Sequence, residues 1–532
     1  MTRAGPAVGE DRHVGEGRAP RVAGVLALAC ALCASAARAE DAPSRFKLQR
    51  LSVEGDVLEL LAADLDGDGR KDLIAPYLVG VPPAQKRFIA IFWNGARGLS
   101  PKPDLVLPLE GEAACAFDVA EVDGQPGDEL LLIGPRGVTA RSFRGRVAGE
   151  PTVLTGEVTL FVEPDKGELP RVPLVQPLGQ GVQALLLPKP GALSVLVRAP
   201  GKESAWTRAG LLPVPLEAGY TRRRRGMSIS RGTGGFFPAI AARFNFPAVH
   251  LADLDGDGLV DLFVAQEDRV TVFRQGPGAT FKDQPDYLRD FAIRTPEELK
   301  ESFSPAAIMV RDIDGDGLAD LVVRKQVSQG LASATTTSFV FFGRSGGFAK
   351  TADQVLRHEG ASGVEVELAD LTGDGRPDLI VPSVNIGLFA IIRILTSKTL
   401  KMNFQVFPFE KEQRRFAEKA SAERELRFKI STDGQADSQA VALFGDYDGD
   451  GRPDLVYGTE DEELSIFRGQ PGGALFEDDA SERIEVRAYG EVLPVDLTGA
   501  GRADLLLRFP NTKGHRGEIV VLQNQGGWPV RK

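Results

Sequence analysis

Cysteine is scarce in this chain. Of three residues, Cys30 and Cys33 fall in an N-terminal stretch that reads as a removable leader, so only Cys115 remains in the mature chain. That excludes an intramolecular disulfide framework. Histidine is nearly as rare. His13 leaves with the leader, and His250, His358 and His515 are far apart in sequence. No zinc motif, nucleophile elbow or phosphate loop accompanies them. A basic face is also missing: the formal net charge is −11, and it falls to −13 once residues 1–39 are removed. A nucleic-acid binder shows the opposite balance. No apolar run beyond the leader approaches the roughly 20 residues that a membrane-spanning helix needs.

Acid and glycine are what the chain has, and they come together. Asp64-Leu65-Asp66-Gly67-Asp68-Gly69-Arg70-Lys71-Asp72 reads as a calcium loop. Calcium takes six to eight oxygens at about 2.3–2.6 Å. Asp64, Asp66 and Asp68 supply carboxylates from positions 1, 3 and 5, the carbonyl of Arg70 comes from position 7, and Asp72 closes the site at position 9. Gly67 and Gly69 allow the positive φ of a backbone wrapped tightly around an ion. An EF-hand opens in the same way but closes with Glu at position 12 between helices. Here the flanks are short apolar runs, so the loop joins two strands.

The loop recurs. Asp253, Asp255, Asp257, Leu259 and Asp261 repeat it, as do Asp312, Asp314, Asp316, Leu318 and Asp320. Asp370, Thr372, Asp374, Arg376 and Asp378 form a fourth copy, and Asp446, Asp448, Asp450, Arg452 and Asp454 a fifth. Three weaker copies start at Glu121, Gln176 and Asp496: the first has Gln125 at position 5, the last has Ala500 there, and the middle one keeps its glycines but no acid. About five calcium sites are therefore expected. Nineteen acids lie in the five strong loops, and five calcium ions would bring the mature net charge to about −3. The acidity is accounted for largely as metal ligands. Asp-Gly turns are also good hairpin turns without any metal, but five at one period favour ligation.

First positions fall 57, 55, 77, 59, 58, 76 and 50 residues apart, the spacing of blades or an array. Each unit has a strand into the loop, a strand out, a third ending in a Gly-rich turn such as Phe339–Gly343, and a fourth leading onward. Four short strands per unit make a propeller blade. The fold class is thus all-β: a β-propeller of four-stranded blades. Eight blades are expected, or seven if the acid-free third repeat is not a full blade. The last repeat lacks a fourth strand, and residues 46–53 form a spare one that would close the ring and remove the open edge. Two insertions are expected, near 207–245 and 396–440. The first holds the run Arg222–Arg225, read as a solvated loop with polyanion binding as the alternative. The second holds a predicted helix over 408–420, with Phe409, Phe416 and Ala420 on one face.

Residues 1–39 read as a secretory signal: Arg3, Arg12, Arg18 and Arg21, an apolar run from Val22 to Leu32, then Ala37-Arg38-Ala39 as an A-x-A cleavage site. Residues 40–45 are a short polar tail. The expected location is exported: periplasmic, cell-surface or secreted.

The five loops, with the pattern D-x-[DT]-G-D-G-x-x-D, and Phe342-Gly343 resemble the FG-GAP/VCBS repeat family, whose calcium-binding blades also form the head of integrin α chains. The resemblance covers roughly residues 46–532. It implies a propeller with calcium between two strands of a blade, and a binding or adhesion module. The functional expectation is a monomeric, non-catalytic, calcium-stabilised scaffold for a protein or glycan ligand, with no nucleic acid and no membrane span after signal cleavage. One alternative is a lyase or hydrolase acting on polysaccharide at the central channel, since fold alone does not decide function. Another is a lectin, with Trp93, Trp206 or Trp528 as sugar platforms rather than blade packing.

Overall fold

The strands that leave the loops are apolar on both faces: Leu73-Ile74-Ala75, Leu262-Phe263-Val264 and Leu505-Leu506-Leu507 are all buried. Such a strand needs cover on both sides, and a ring of stacked sheets provides it. The computed structural model describes residues 44–81, 84–109, 113–162, 168–198, 206–222, 240–298, 306–328, 334–359, 366–384, 388–431, 437–471 and 475–528. They form an eight-bladed β-propeller of four-stranded antiparallel sheets. Blades 1 to 8 begin with the strands Leu61–Ala63, Ala116–Ala120, Val175–Pro177, Ala248–Ala252, Ala306–Arg311, Glu367–Ala369, Val441–Gly445 and Glu491–Val495. The acid-free third repeat is a full blade, which decides eight over seven.

Eight hydrophobic clusters are found among the described residues, and each lies between two consecutive blades. In blade 4, Leu262 and Val264 pack toward blade 3, while Phe263 and Ala265 pack toward blade 5. The period-2 alternation of a strand therefore sends successive side chains into two different cores. Each large side chain buried this way contributes about 1.5–3 kcal/mol. Trp93, Trp206 and Trp528 belong to these interblade clusters. Cys115 is a buried thiol in the same kind of environment.

The ring closes as expected. Phe46–Ser52 runs antiparallel to Glu518–Asn524, from Phe46 opposite Asn524 to Ser52 opposite Glu518, and is the fourth strand of blade 8. Phe46 packs on Tyr447 and Trp528, tying the first and last segments to blade 7.

Three details differ from the sequence reading. Thr207–Pro213 is the fourth strand of blade 3, and the extra material there is a separate ribbon of Glu217–Arg222 and Ile240–Asn245. Thr399–Phe407 and Ala422–Lys429 are the third and fourth strands of blade 6, with the one α-helix among the described residues, Leu388–Ser397, inserted before them. The helix expected over 408–420 is instead a small hairpin, with Phe409–Glu410 paired to Arg415–Phe416 around the turn Lys411–Gln413. Residues seven apart share a face on a helix, but they also face each other across such a hairpin. Packing decides here. The Phe409 and Phe416 rings meet at 5.5 Å, Phe409 meets Phe342 of blade 5 at 6.0 Å, and the Gln354 side-chain amide both donates to and accepts from the Phe416 backbone.

The expected leader, residues 1–39 with Cys30, Cys33 and the expected cleavage motif, lies outside the described residues, as do Arg223–Arg225. No helix among the described residues is long and apolar enough to cross a membrane.

Candidate metal centres on the loop face

Each strong loop connects the first and second strands of its blade, so the loops gather on one edge of the ring. Position 9 opens the second strand. Asp72, Asp261, Asp320, Asp378 and Asp454 are 0–1 % exposed. The Asp72 carboxylate accepts the Leu65 N–H at 3.1 Å on one oxygen and the Asn94 N–H at 2.8 Å on the other. Asp261 does the same with Leu254 and Gln275, Asp320 with Ile313 and Gly343, and Asp454 with Tyr447 and Gly469. Position 9 thus pins the loop to the end of the third strand. In blade 6, Asp378 accepts from Leu371, from the Thr372 N–H and from the Thr372 hydroxyl.

Position 1 sits in a cradle of backbone donors. Asp64 Oδ1 accepts Gly67 N–H at 2.8 Å and its Oδ2 accepts Gly69 N–H at 2.8 Å, and Asp253, Asp312, Asp370 and Asp446 repeat both bonds. Positions 3 and 5 each use Oδ1 to accept the N–H two residues on, as Asp66 does from Asp68 and Asp68 from Arg70. The Oδ2 atoms of these two aspartates are not engaged by the loop backbone.

Carboxylate oxygens come within 4.8 Å of one another in four of the five strong loops: Asp64, Asp66 and Asp72; Asp253, Asp255 and Asp261; Asp312, Asp314 and Asp316; Asp446, Asp448 and Asp454. Asp68, Asp257, Asp320 and Asp450 stand outside these triads. The loop of Asp370, Asp374 and Asp378, with Thr372 at position 3, forms no such group. Glu121, Asp123 and Glu129 of blade 2 do form one; the sequence reading left them aside because Gln125 breaks the pattern. At position 7, the Leu318 side chain lies on Gly256 of the preceding blade, Arg376 on Gly315 and Arg452 on Gly373. The φ of +72° at Gly315 is a backbone conformation that favours glycine at position 4.

Burial dominates the electrostatics. It pushes Asp72, Asp261 and Asp378 up to about 6, and Asp320, Asp454 and Glu129 up to about 7, with neighbouring loop acids adding to the shift and backbone hydrogen bonds opposing it. A hard cation among these oxygens reverses that logic by favouring the ionised form. The donor set, all oxygen and mostly carboxylate, suits calcium rather than a softer metal.

The same loops join neighbouring blades. Asp128 N–H donates to the Asp64 carbonyl at 2.6 Å, Ala319 N–H to that of Asp253 at 2.7 Å, Ala503 N–H to that of Asp446 at 2.7 Å, and Lys71 N–H to that of Leu497 at 3.1 Å. Asn94 and Asn524 reach across two of these seams with their side-chain amides, to the Leu497 and Tyr447 carbonyls. Sequence reasoning missed both asparagines, because their role depends on which loop lies next door.

The histidines are not brought together. His250 lies on the first strand of blade 4, its pKa lowered by burial. His358 is on the fourth strand of blade 5 against Phe407, lowered by burial to about 4. His515 pairs with Glu518 at 2.7 Å.

Residues 253–323 and 312–381 match the family described as FG-GAP-like repeat, two repeats that run from the loop of blade 4 to the second strand of blade 6. No curated protein sequence matches the chain. Among solved structures, Sqt1 from Chaetomium thermophilum is similar at 12 % identity over 90 % of this chain and 100 % of its own, with a TM-score of 0.40. The V. cholerae biofilm matrix protein Bap1 is similar at 11 % identity over 89 % and 78 %, with a TM-score of 0.27. AofleA from Arthrobotrys oligospora is similar at 8 % over 72 % and 92 %, with a TM-score of 0.24. All three scores lie below 0.5, too low to carry a function across.

Proposed function

We propose that this protein is an exported, calcium-stabilised interaction scaffold without catalytic activity, offering the surface of an eight-bladed ring to a protein or glycan ligand. One observation carries the reading: the loops that gather carboxylates are also the loops that hydrogen-bond one blade to the next. Metal bound there acts on the seams of the ring. Asp64, Asp66 and Asp72 in blade 1, their counterparts in blades 4 and 7, and Asp312, Asp314 and Asp316 in blade 5 would hold the ion. In blade 6, Asp370, Thr372, Asp374 and Asp378 would do so with a hydroxyl in place of one carboxylate.

Calcium supplies positive charge where buried carboxylates otherwise repel. The protein supplies the rest. Position 1 is held by its glycine N–H donors, position 9 is held by its two backbone partners, and burial excludes water from the foot of the loop. At a 100-fold excess over its dissociation constant, each ion adds about 2.7 kcal/mol to folding. Extracellular calcium modules often bind at about 10⁻⁴–10⁻³ M, so the gain depends on millimolar calcium outside the cytoplasm. The export reading rests on the leader, and N-terminal sequencing of the protein from its host should find Glu40 first.

The deciding experiment is calorimetric titration of EDTA-stripped protein with calcium. Uptake of about five ions, with no turnover of anionic or neutral polysaccharides, supports the scaffold. Absence of uptake, or turnover abolished by one cleft substitution in a folded protein, refutes it.

A further inference from the structure

Five loops have an acid at position 3, and in all five an arginine sits on it. Arg146 Nε is 2.6 Å from Asp66 Oδ2, and its Nη2 is 3.3 Å from Asp68 Oδ2. Arg414 pairs with Asp314 Oδ2 and, at 2.8 Å, with Asp316 Oδ2. Arg274 pairs with Asp255 Oδ2, Arg144 with Asp123 Oδ2, and Arg468 lies 3.4 Å from Asp448 Oδ2. The atom is the same each time: the oxygen that the loop backbone does not use. Two loops have threonine at position 3, Thr372 and Thr498. Among the described residues, no arginine is paired with an acid of either loop.

Four of the arginines arrive by two routes; the fifth, Arg144, comes from the turn that follows the third strand of its own blade 2. Strand register makes Phe92, Phe273, Phe341 and Phe467 equivalent, each opposite the first leucine of the second strand. The next residue is Arg274 in blade 4 and Arg468 in blade 7, and each reaches its own blade's loop. In blades 1 and 5 that residue is aromatic, Trp93 or Phe342. There the guanidinium comes from the following blade and lies over the ring: Arg146 is 5.8 Å from the Trp93 centroid and Arg414 is 5.1 Å from that of Phe342. In the two threonine loops the equivalent residue is Pro408 or Gln523, by the pairings of Phe407 with Leu379 and Leu522 with Leu505. Neither offers a charge or an aromatic ring; Ser142, the equivalent residue of blade 2, offers neither as well, and there Arg144 reaches Asp123 from two residues further on. One contact reached by unrelated routes, and missing where the third acid is missing, points to the charge as the thing being matched.

We propose that these arginines are internal counter-cations of the loops. Each neutralises the position-3 acid while the loop is free of metal, and each must leave Oδ2 for a calcium ion to take it. The guanidinium then both preserves the cation-free blade and lowers calcium affinity. The affinity half rests on the calcium reading above; the counter-cation half does not.

The test uses Arg146→Gln and Arg414→Gln, chosen because both side chains are 41–47 % exposed and leave no cavity. In EDTA each variant should melt a few degrees below the parent, as expected for loss of a charge-assisted pair. In calcium titrations each should bind its ion about tenfold more tightly. Arg146→Lys should fall between, because an ammonium replaces the charge without the fork. Asp66→Thr combined with Arg146→Gln copies the threonine loops and should recover the melting temperature in EDTA. Unchanged melting together with unchanged affinity overturns the proposal, as does weaker calcium binding. If neither parent nor variants take up calcium, the calcium reading falls, and melting in EDTA alone decides the counter-cation role.

Discussion

Blades 3 and 4 stand side by side and are built to the same plan, yet their loops share almost no chemistry. Blade 4 has Asp253, Asp255, Asp257 and Asp261; blade 3 has Gln176, Leu178 and Gln180. Both turn through positive φ: Gly256 and Gly258 at +81° and +79°, Gly179, Gln180 and Gly181 at +79°, +52° and +74°. At position 3, where blade 4 has Asp255, blade 3 has the buried Leu178, whose N–H donates to the Val182 carbonyl; in blade 4 the loop is held instead by the Leu254 N–H donating to the Asp261 carboxylate. Blade 3 therefore forms without acids, held by the apolar clusters on either side. A turn of this kind can thus form without carboxylates, although in blade 4 Asp253 and Asp261 hold it by accepting backbone N–H groups, and burial of an acid is unfavourable in its charged form. Gathered as they are, these acids could hold a cation.

That comparison can be broken most directly by removing calcium. Melting in excess EDTA and in millimolar calcium should differ by on the order of 10 °C, given about 2.7 kcal/mol for each well-filled site. An equal melting temperature would make the Asp loops no different in kind from the loop of blade 3. Next in size is Asp261→Ala. It strands the Leu254 and Gln275 N–H groups and should cost roughly 2–4 kcal/mol even in EDTA, as read by denaturant unfolding. Asp255→Ala removes no backbone acceptor needed by the pin and breaks only the pair with Arg274, so in EDTA it should cost no more than a few degrees, less than Asp261→Ala, and lose more with calcium present. If the two variants behave alike in EDTA, the pinning role of position 9 is wrong.

The effect of pH is smaller and has a definite sign. Asp72, Asp261, Asp320, Asp378 and Asp454 are raised to about 6 or 7 by burial, above the 3.9 or so of an unfolded aspartate. A raised group stabilises the fold below its unfolded value, and that contribution is lost as pH rises through 6 to 7. The metal-free protein should therefore melt progressively lower from pH 5 to pH 8, and saturating calcium should flatten or reverse the slope. A flat profile in EDTA would mean that these groups are not desolvated as their burial implies. The smallest expected effect is Gln180→Asp in blade 3, which should change neither melting nor calcium stoichiometry, because one acid without its partners does not make a site.

Legibility in the sequence followed distance along the chain. The loop motif, the four-strand unit and the closing strand are short-range or periodic patterns, and the structure carries them as expected. Arg274 and Arg468 also had a signal, since each directly follows a strand-ending phenylalanine. Arg146 and Arg414 had none: they meet Asp68 and Asp316 from 78 and 98 residues away. The hairpin of Phe409 and Phe416 was hidden for a related reason, because a seven-residue interval satisfies both a helix and a tight cross-strand pair, and only contact with Phe342 selects one.

What the sequence by itself determined is the repeat: where each turn falls, which strands are doubly apolar, and where oxygen ligands cluster. Those properties are local, set by glycine φ, by strand alternation and by acids at alternate positions. Tertiary structure alone decided that blade 3 completes the ring at eight, that each second strand feeds two different cores, and that Arg146 and Arg414 answer aspartates of the preceding blade. Those outcomes depend on neighbours in space, and stacking the blades is what makes them neighbours.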